Sequence, residues 1–295
     1  MTIFDQRISR RTALCRCVQA ATFTAIAAHL EPLRAAPKSR GFRIGACDWS
    51  LGKQSDLAAF DVAREIGLDG VQVSMGTASN DMQLRKPEMQ KAYLKTAQKT
   101  GVEISSLALG ELNSVPLKSD PRAAEWLADS IDVCKALGLT VTMPAFFGRG
   151  TLDMANTQQI DHVVEILKGI APKAEKKEVV IGLENTLSAE DNMKILQRVG
   201  SPAVQVYYDT GNSHYAGRDI YQEIRTLGKL ICQFHVKDGR HMLGQGPIDF
   251  GKVRKAIDDI GYSGWIIIEA AAPGGLIPDY TTQCKFLRAI FPRQV

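Results

Sequence analysis

A single (β/α)8 TIM barrel is the fold class the sequence predicts, and three observations predict it. From residue 41 onward, eight short β-rich runs alternate with helical segments, capping residues and glycines punctuate them, and 295 residues suit one large barrel. No stretch of distinct composition divides residues 41–295, so they read as one domain.

The strand candidates are residues 42–47, 70–75, 103–109, 140–146, 179–184, 204–209, 231–237 and 264–269. Each is short, apolar and β-branched, as a parallel strand covered on both faces must be. Between them the apolar residues change to helical spacing. Ala124, Leu127, Ile131 and Cys134 fall at i, i+3, i+7 and i+10, and Phe250, Val253, Ile257 and Ile260 repeat the pattern. Asp120-Pro121 offers an N-cap followed by a proline in the first helical position, and Asp56, Ser188 and Asp219 are further N-cap candidates. Gly67, Gly101, Gly138, Gly200, Gly228 and Gly261 each follow a helical run, where a left-handed cap is wanted. No G-x-G-x-x-G follows the first strand, which argues against a dinucleotide-binding sheet.

The first 36 residues read differently. Ser9-Arg10-Arg11-Thr12-Ala13-Leu14 has the twin-arginine form, a mildly apolar stretch runs from Ala20 to Leu30, and Ala35-Ala36 precede Pro37. These features predict a twin-arginine-type signal segment over residues 1–36 and an exported, periplasmic protein. No stretch reaches the roughly 18 apolar residues that span a bilayer, so no membrane anchor is expected. Five basic and two acidic side chains lie in residues 1–36, which leaves the remainder within one charge of neutral although the whole chain carries +4. A near-neutral barrel offers no electrostatic footprint for nucleic acid. Beyond Cys15 and Cys17 in the leader, Cys47, Cys134, Cys232 and Cys284 form no C-x-x-C pair and read as buried small apolar residues.

In a barrel of this class, chemistry gathers where strands end and βα loops begin. Four successive strand ends carry a metal-ligand type: Glu184 in Gly-Leu-Glu-Asn, Asp209 in Tyr-Tyr-Asp-Thr-Gly-Asn, His235 in Phe-His-Val-Lys-Asp and Glu269 in Ile-Ile-Glu-Ala. Neighbouring strands lie roughly 4.8 Å apart, so four adjacent ends can converge on one ion. Strand parity is an independent test. Gln233, His235 and Lys237 share one parity against Cys232, Phe234 and Val236; Gln205, Tyr207 and Asp209 share one against Val204, Val206 and Tyr208; Glu184 opposes Leu183 and Ile181. The eighth strand is apolar on both parities, so Glu269 gains nothing from this test. Three carboxylates and an imidazole without thiolate suit a divalent metal, Mn2+ first, with Mg2+, Co2+ and Zn2+ as alternatives.

The Gly-Leu-Glu-Asn, Tyr-Asp-Thr-Gly-Asn, His-Val-Lys-Asp-Gly and Ile-Ile-Ile-Glu motifs resemble the sugar phosphate isomerase/epimerase group of the xylose isomerase-like TIM barrel superfamily, often filed with the second family of apurinic endonucleases. The segment Leu243-Gly244-Gln245-Gly246-Pro247-Ile248-Asp249-Phe250 resembles that group's glycine-rich segment after the seventh strand, and the resemblance extends over residues 41–295. It implies a metal-dependent sugar isomerase or epimerase with a carbohydrate substrate. Glu184 and Glu269 would be metal ligands and the acid/base pair, and Asp209 and His235 would complete the coordination. Glu190 matches the position of a substrate-binding carboxylate. Where sugar 3-epimerases carry a substrate-contacting histidine this chain has Asn212, with His214 two residues on; where they carry an arginine it has His241, beside Arg240. Asn212 and Arg240 are accordingly candidates for substrate binding.

The implied chemistry suits these residue types. A divalent ion spanning a carbonyl oxygen and its neighbouring hydroxyl stabilises a cis-enediolate, while one carboxylate removes a proton and the other returns it. Lys237, inward by parity, is a candidate to assist the developing oxyanion. Trp49, Phe146 and Phe147, at the ends of strands one and four, are candidates to stack on a sugar or to pack. The same proton abstraction could expel a leaving group, which makes a lyase or hydrolase acting on oxidised (3-keto) sugars or glycosides the alternative. A non-catalytic carbohydrate-binding barrel is a further one, and a homo-oligomer is compatible with everything above. Endonucleases of the superfamily need extra histidines from the second and third strands. Val73-Ser74-Met75 and Leu109-Gly110-Glu111 supply none.

Overall fold

A computed structural model describes residues 41–293; the leader expected over residues 1–36 lies outside them. Eight parallel strands close on themselves in sequence order: β1 (Arg43–Cys47), β2 (Gly70–Ser74), β3 (Glu103–Leu109), β4 (Val141–Pro144), β5 (Val180–Leu183), β6 (Val204–Asp209), β7 (Ile231–Val236) and β8 (Trp265–Ile268). The closing pair β8–β1 is in register with Arg43 opposite Trp265 and Ala46 opposite Ile268. Every expected strand is present; β3 and β6 keep their expected bounds and the others are shorter by one to three residues. The largest trim is in β4, which ends at Pro144, although Phe146 N–H still donates to Glu184 O at 2.9 Å and carries the pairing on.

The outer helices are α1 (Ala58–Ile66), α2 (Pro87–Thr100), α3 (Pro121–Leu137), α4 (Thr157–Lys176), α5 (Ala189–Val199), α7 (Ile220–Leu227), α8 (Phe250–Asp259) and α9 (Leu276–Ile290), with a short α6 (Thr210–Tyr215) directly after β6. Asp120, Ser188 and Asp219 accept from backbone N–H groups at the starts of α3, α5 and α7 as their sequence positions predict. Asp56 accepts from Ala58 N–H one residue ahead of the helix boundary at Leu57. The expected apolar stripe of α3 is in place, with Leu127, Ile131 and Cys134 buried against the sheet.

Strand alternation divides the buried side chains into two bodies. Ile44, Val71, Leu107, Ile181, Val204, Phe234 and Ile266 point outward into one large core shared with the helices. Residues of the other parity fill the barrel in separate small clusters, including Met143, Val180 and Tyr207 on one side and Cys47, Trp265 and Ile267 on the other. Gly70 makes the floor possible: a Cβ there would lie 2.5 Å from the Trp265 ring. Arg43 stacks on the same indole, 4.2 Å from its centroid. All four described cysteines are free.

Two buried carboxylates give stability predictions. Asp69, which precedes β2, accepts Ile44 N–H at 2.7 Å and pairs with Arg288 and Arg293, so it ties the last helix to the first strand. Asp69→Ala leaves Ile44 N–H without this acceptor, and urea unfolding should show a loss of about 1.5–3 kcal/mol. Asp48, buried after β1, accepts from Ser74 N–H (2.7 Å), Ser74 Oγ–H (2.7 Å) and Ser55 N–H (3.0 Å). Burial nevertheless pushes its carboxyl up to about 6. A carboxyl raised above its unfolded value of about 3.9 adds stability that is fully present below pH 4 and lost as pH rises through 6. Asp48→Asn should therefore gain on wild type between pH 4 and 7, by on the order of 2 kcal/mol, in melts across that range.

Candidate metal centre and active site

The C-terminal ends of β5 to β8 build the site. Glu184 follows β5, Asp209 closes β6, His235 lies in β7 and Glu269 follows β8, and one ligand atom from each falls within 4.8 Å of the others. Register brings them level: Asp209 pairs with His235, and His235 with Ile267, so Glu269 follows two residues on, on the same face as Ile267. Since Ile267 belongs to an interior cluster, the eighth strand has an inward parity after all, one that its composition hides. Asp209 also caps α6, accepting Asn212 N–H at 2.7 Å through Oδ1, which turns Oδ2 toward the cluster. That Oδ2 is buried without a hydrogen bond, and its nearest cation is Lys237 Nζ at 3.1 Å.

His235 is fully buried and its two nitrogens face different partners. Nε2 lies 2.6 Å from Gln72 Oε1, while Gln72 Nε2 donates to Tyr207 Oη at 3.1 Å. Gln72 therefore presents its oxygen, so Nε2 carries a proton and Nδ1 is the nitrogen turned to the carboxylates. Nδ1 lies 2.8 Å from Glu184 Oε1, 3.6 Å from Glu269 Oε2 and 3.9 Å from Asp209 Oδ2. Tyr207 supports the imidazole ring edge-on at 4.5 Å between centroids. Burial disfavours the imidazolium, but Glu184, Glu269 and Asp209 outweigh it and raise the pKa of His235.

Lys237 is the second cation. Its Nζ donates to Glu269 Oε2 at 2.7 Å, beside the Asp209 ion pair. Burial and the neighbouring glutamates push Asp209 up to about 7 in spite of Lys237. Glu269 goes the other way: burial raises it, yet His235, Lys237 and the Trp49 indole N–H, which donates to Oε1 at 2.9 Å, hold it at about 2. Three carboxylates are thus crowded together with a full set of oxygen donors and one imidazole nitrogen aimed at a common point. This donor set fits a hard or borderline divalent cation. The Cys47 thiol, 3.4 Å from His235 Nε2, is kept neutral by burial and by Glu269 and Glu184, so it adds no ligand.

Beside the cluster opens a cavity of about 200 Å³ whose lining includes Trp49, Gln54, Asn113, Met143, Phe147 and both glutamates. The structure brings Glu184, Asp209, His235, Glu269, Lys237 and Trp49 into one constellation. Trp49 meets it through its N–H rather than by stacking alone. Phe147 lines the cavity, whereas Phe146 is buried in the outer core. Asn212 adjoins the centre through its backbone N–H, with a buried Nδ2 lacking a hydrogen bond. Glu190 sits exposed in the first turn of α5, and Arg240 is exposed in the loop after β7. Sequence reasoning missed Gln72, Gln54 and Asn113. Gln72 alone left a signal, as a polar residue at an inward position of an otherwise apolar strand.

Residues 60–290 match the family model described as xylose isomerase-like TIM barrel. A 2-epi-5-epi-valiolone 7-phosphate 2-epimerase from Actinoplanes sp. is 27% identical over 210 residues, 70% of this chain and 76% of that protein. A ketose 3-epimerase from Arthrobacter globiformis is 22% identical over 244 residues, covering 77% and 82% of the two chains. Among solved structures, D-psicose 3-epimerase with D-tagatose from Clostridium cellulolyticum H10 superposes with a TM-score of 0.72 at 18% identity, over 84% of this chain and 99% of that one. With its closed eight-stranded barrel and a family match across all but the first strand, the chain belongs to the xylose isomerase-like TIM barrel family.

Proposed function

We propose that this protein is a divalent-metal-dependent sugar epimerase or isomerase that moves a proton at a carbon adjacent to a carbonyl. One observation carries the reading: Glu184 and Glu269 belong to the four-residue ligand cluster and also line the cavity beside it. Epimerases among the relatives support it. Glu184, Asp209, His235 and Glu269 would hold the ion, which when bound supplies positive charge to sugar oxygens as negative charge develops on them.

The protein's own residues do the rest. One glutamate takes the proton from carbon, leaving the sugar as its cis-enediolate, and the other returns a proton to the same carbon or its neighbour. Glu269, held at about 2 by His235 and Lys237 against the effect of burial, is ionised at neutral pH. Trp49 N–H and Lys237 Nζ fix its two oxygens from different directions. Gln72 sets the tautomer of His235, and Met143 and Phe147 give the cavity apolar walls.

Elemental analysis of the purified protein should find about one divalent ion per chain, and a count near three would overturn the single-centre assignment. Glu184→Gln and Glu269→Gln should each lower turnover by roughly 10²–10⁴-fold and regain little with excess Mn2+. Asp209→Asn should regain much of its loss. Equal metal rescue of all three variants would remove the proton-transfer roles. Deuterium wash-in at the α-carbon separates the two bases, because one glutamine variant should still exchange while net conversion is lost.

Gln72→Leu leaves His235 Nε2–H without its acceptor while preserving approximate volume. Calorimetric Mn2+ titration should show affinity weakened by about 10–100-fold. An unchanged affinity would remove Gln72 from the support of the imidazole.

A further inference from the structure

We infer that the substrate is an unphosphorylated sugar; this rests on the reading of Glu184 and Glu269 as the proton-handling pair. Those two carboxylates are the only charged groups among the described residues that line the cavity. The other named walls are neutral. Gln54 and Asn113 present amides, and Trp49, Met143 and Phe147 present apolar faces. Asn113 is positioned for this: its Oδ1 accepts Phe147 N–H at 2.8 Å, which joins the loops after β3 and β4 and leaves Nδ2 as its donor. Amides beside aromatic rings suit the hydroxyls and C–H faces of a sugar.

A phosphate dianion calls for arginine, lysine or a set of convergent backbone N–H groups. None of the described lysines or arginines is among the residues that line the cavity. Lys237 Nζ is held between Glu269 Oε2 (2.7 Å) and Asp209 Oδ2 (3.1 Å). Lys118 Nζ donates to Thr151 O at 2.6 Å. Arg149, two residues past Phe147, and Arg240, in the loop after β7, are exposed and do not line the cavity. Lys53 is next to Gln54 in the chain but is absent from the lining. No lining residue offers a phosphate ester a cationic partner in place of its hydration, whereas amides and aromatic faces can replace that of hydroxyls.

The test uses the Mn2+-loaded full-length protein and matched pairs: D-fructose with D-fructose 6-phosphate, D-ribulose with D-ribulose 5-phosphate, and D-tagatose with its 6-phosphate. Deuterium wash-in and calorimetric affinity are read for both members of each pair. The free sugar should exceed its phosphate by on the order of 10–100-fold in both readouts. Gln54→Arg should narrow that ratio by about tenfold by adding the missing cation. Equal or preferential handling of the phosphates overturns the inference while the epimerase reading stands, and loss of such a preference in Lys53→Met would identify the cation responsible. Tighter binding of free sugars without any exchange overturns the epimerase reading and leaves the charge selectivity intact. Binding of neither form overturns both.

Discussion

Three carboxylates held out of water around one point are the constraint on which the mouth of this barrel depends. Ionised carboxylates at such separations repel strongly in a low-dielectric interior, and burial adds to the cost of charging each. The fold offsets this with His235 Nδ1 on one side, Lys237 Nζ on another and the Trp49 N–H on a third. The opposed shifts of Asp209 toward 7 and Glu269 toward 2 show how unevenly the compensation falls. Glu269 receives both cations and the indole, whereas Asp209 Oδ2 has the lysine at 3.1 Å and the imidazole only at 3.9 Å. An arrangement so expensive in side-chain burial serves no packing purpose that the surrounding apolar core does not already serve. The divalent cation proposed above would resolve it.

The closed barrel makes the convergence affordable in geometric terms. Each ligand comes from a different strand, so no single loop must be strained to collect them, and the parallel register fixes their heights. Asp209 illustrates the economy. One oxygen caps the helix that immediately follows, satisfying an N–H that would otherwise be orphaned, and the cap orients the other oxygen. His235 gains its orientation from across the barrel, since Gln72 lies on β2. A contact of that sequence separation forms only when the barrel is closed, and it ties the site's geometry to complete folding.

Much of this was legible in the residues themselves. Buried parallel strands read as apolar runs, and capping residues mark helix starts such as Asp120 and Ser188, so the element order follows from local chemistry. Parity pointed Glu184, Asp209 and His235 inward because their strands segregate polar from apolar positions. Trp265, Ile266, Ile267 and Ile268 do not segregate, since β8 is covered by apolar groups on both faces; only the pairing of His235 with Ile267 reveals the inward side. Gln72, Gln54 and Asn113 escaped for a different reason. Amides have no metal-ligand signature, and their roles arise from contacts between elements distant in sequence. Glu190 and Arg240 show the converse: a motif spacing carries a residue to the right end of the barrel but says nothing of its exposure, and both sit in solvent.

The two halves of the barrel consequently carry different burdens. β5 to β8 supply all four metal-type ligands and Lys237, a set bound tightly to one another by charge. β1, β3 and β4 and the loops after them supply Trp49, Gln54, Asn113, Met143 and Phe147, which touch the centre only through Trp49 and face the cavity otherwise. A substitution in the first group perturbs every charge around it, because each carboxylate is balanced against shared cations. In the second group a change alters shape or hydrogen bonding at one point of the cavity and leaves that balance alone. On the proposed reading, proton chemistry and substrate choice would be largely separable within this barrel, and Trp49, whose indole N–H joins a cavity wall to Glu269, is a residue through which a change in one would be felt by the other.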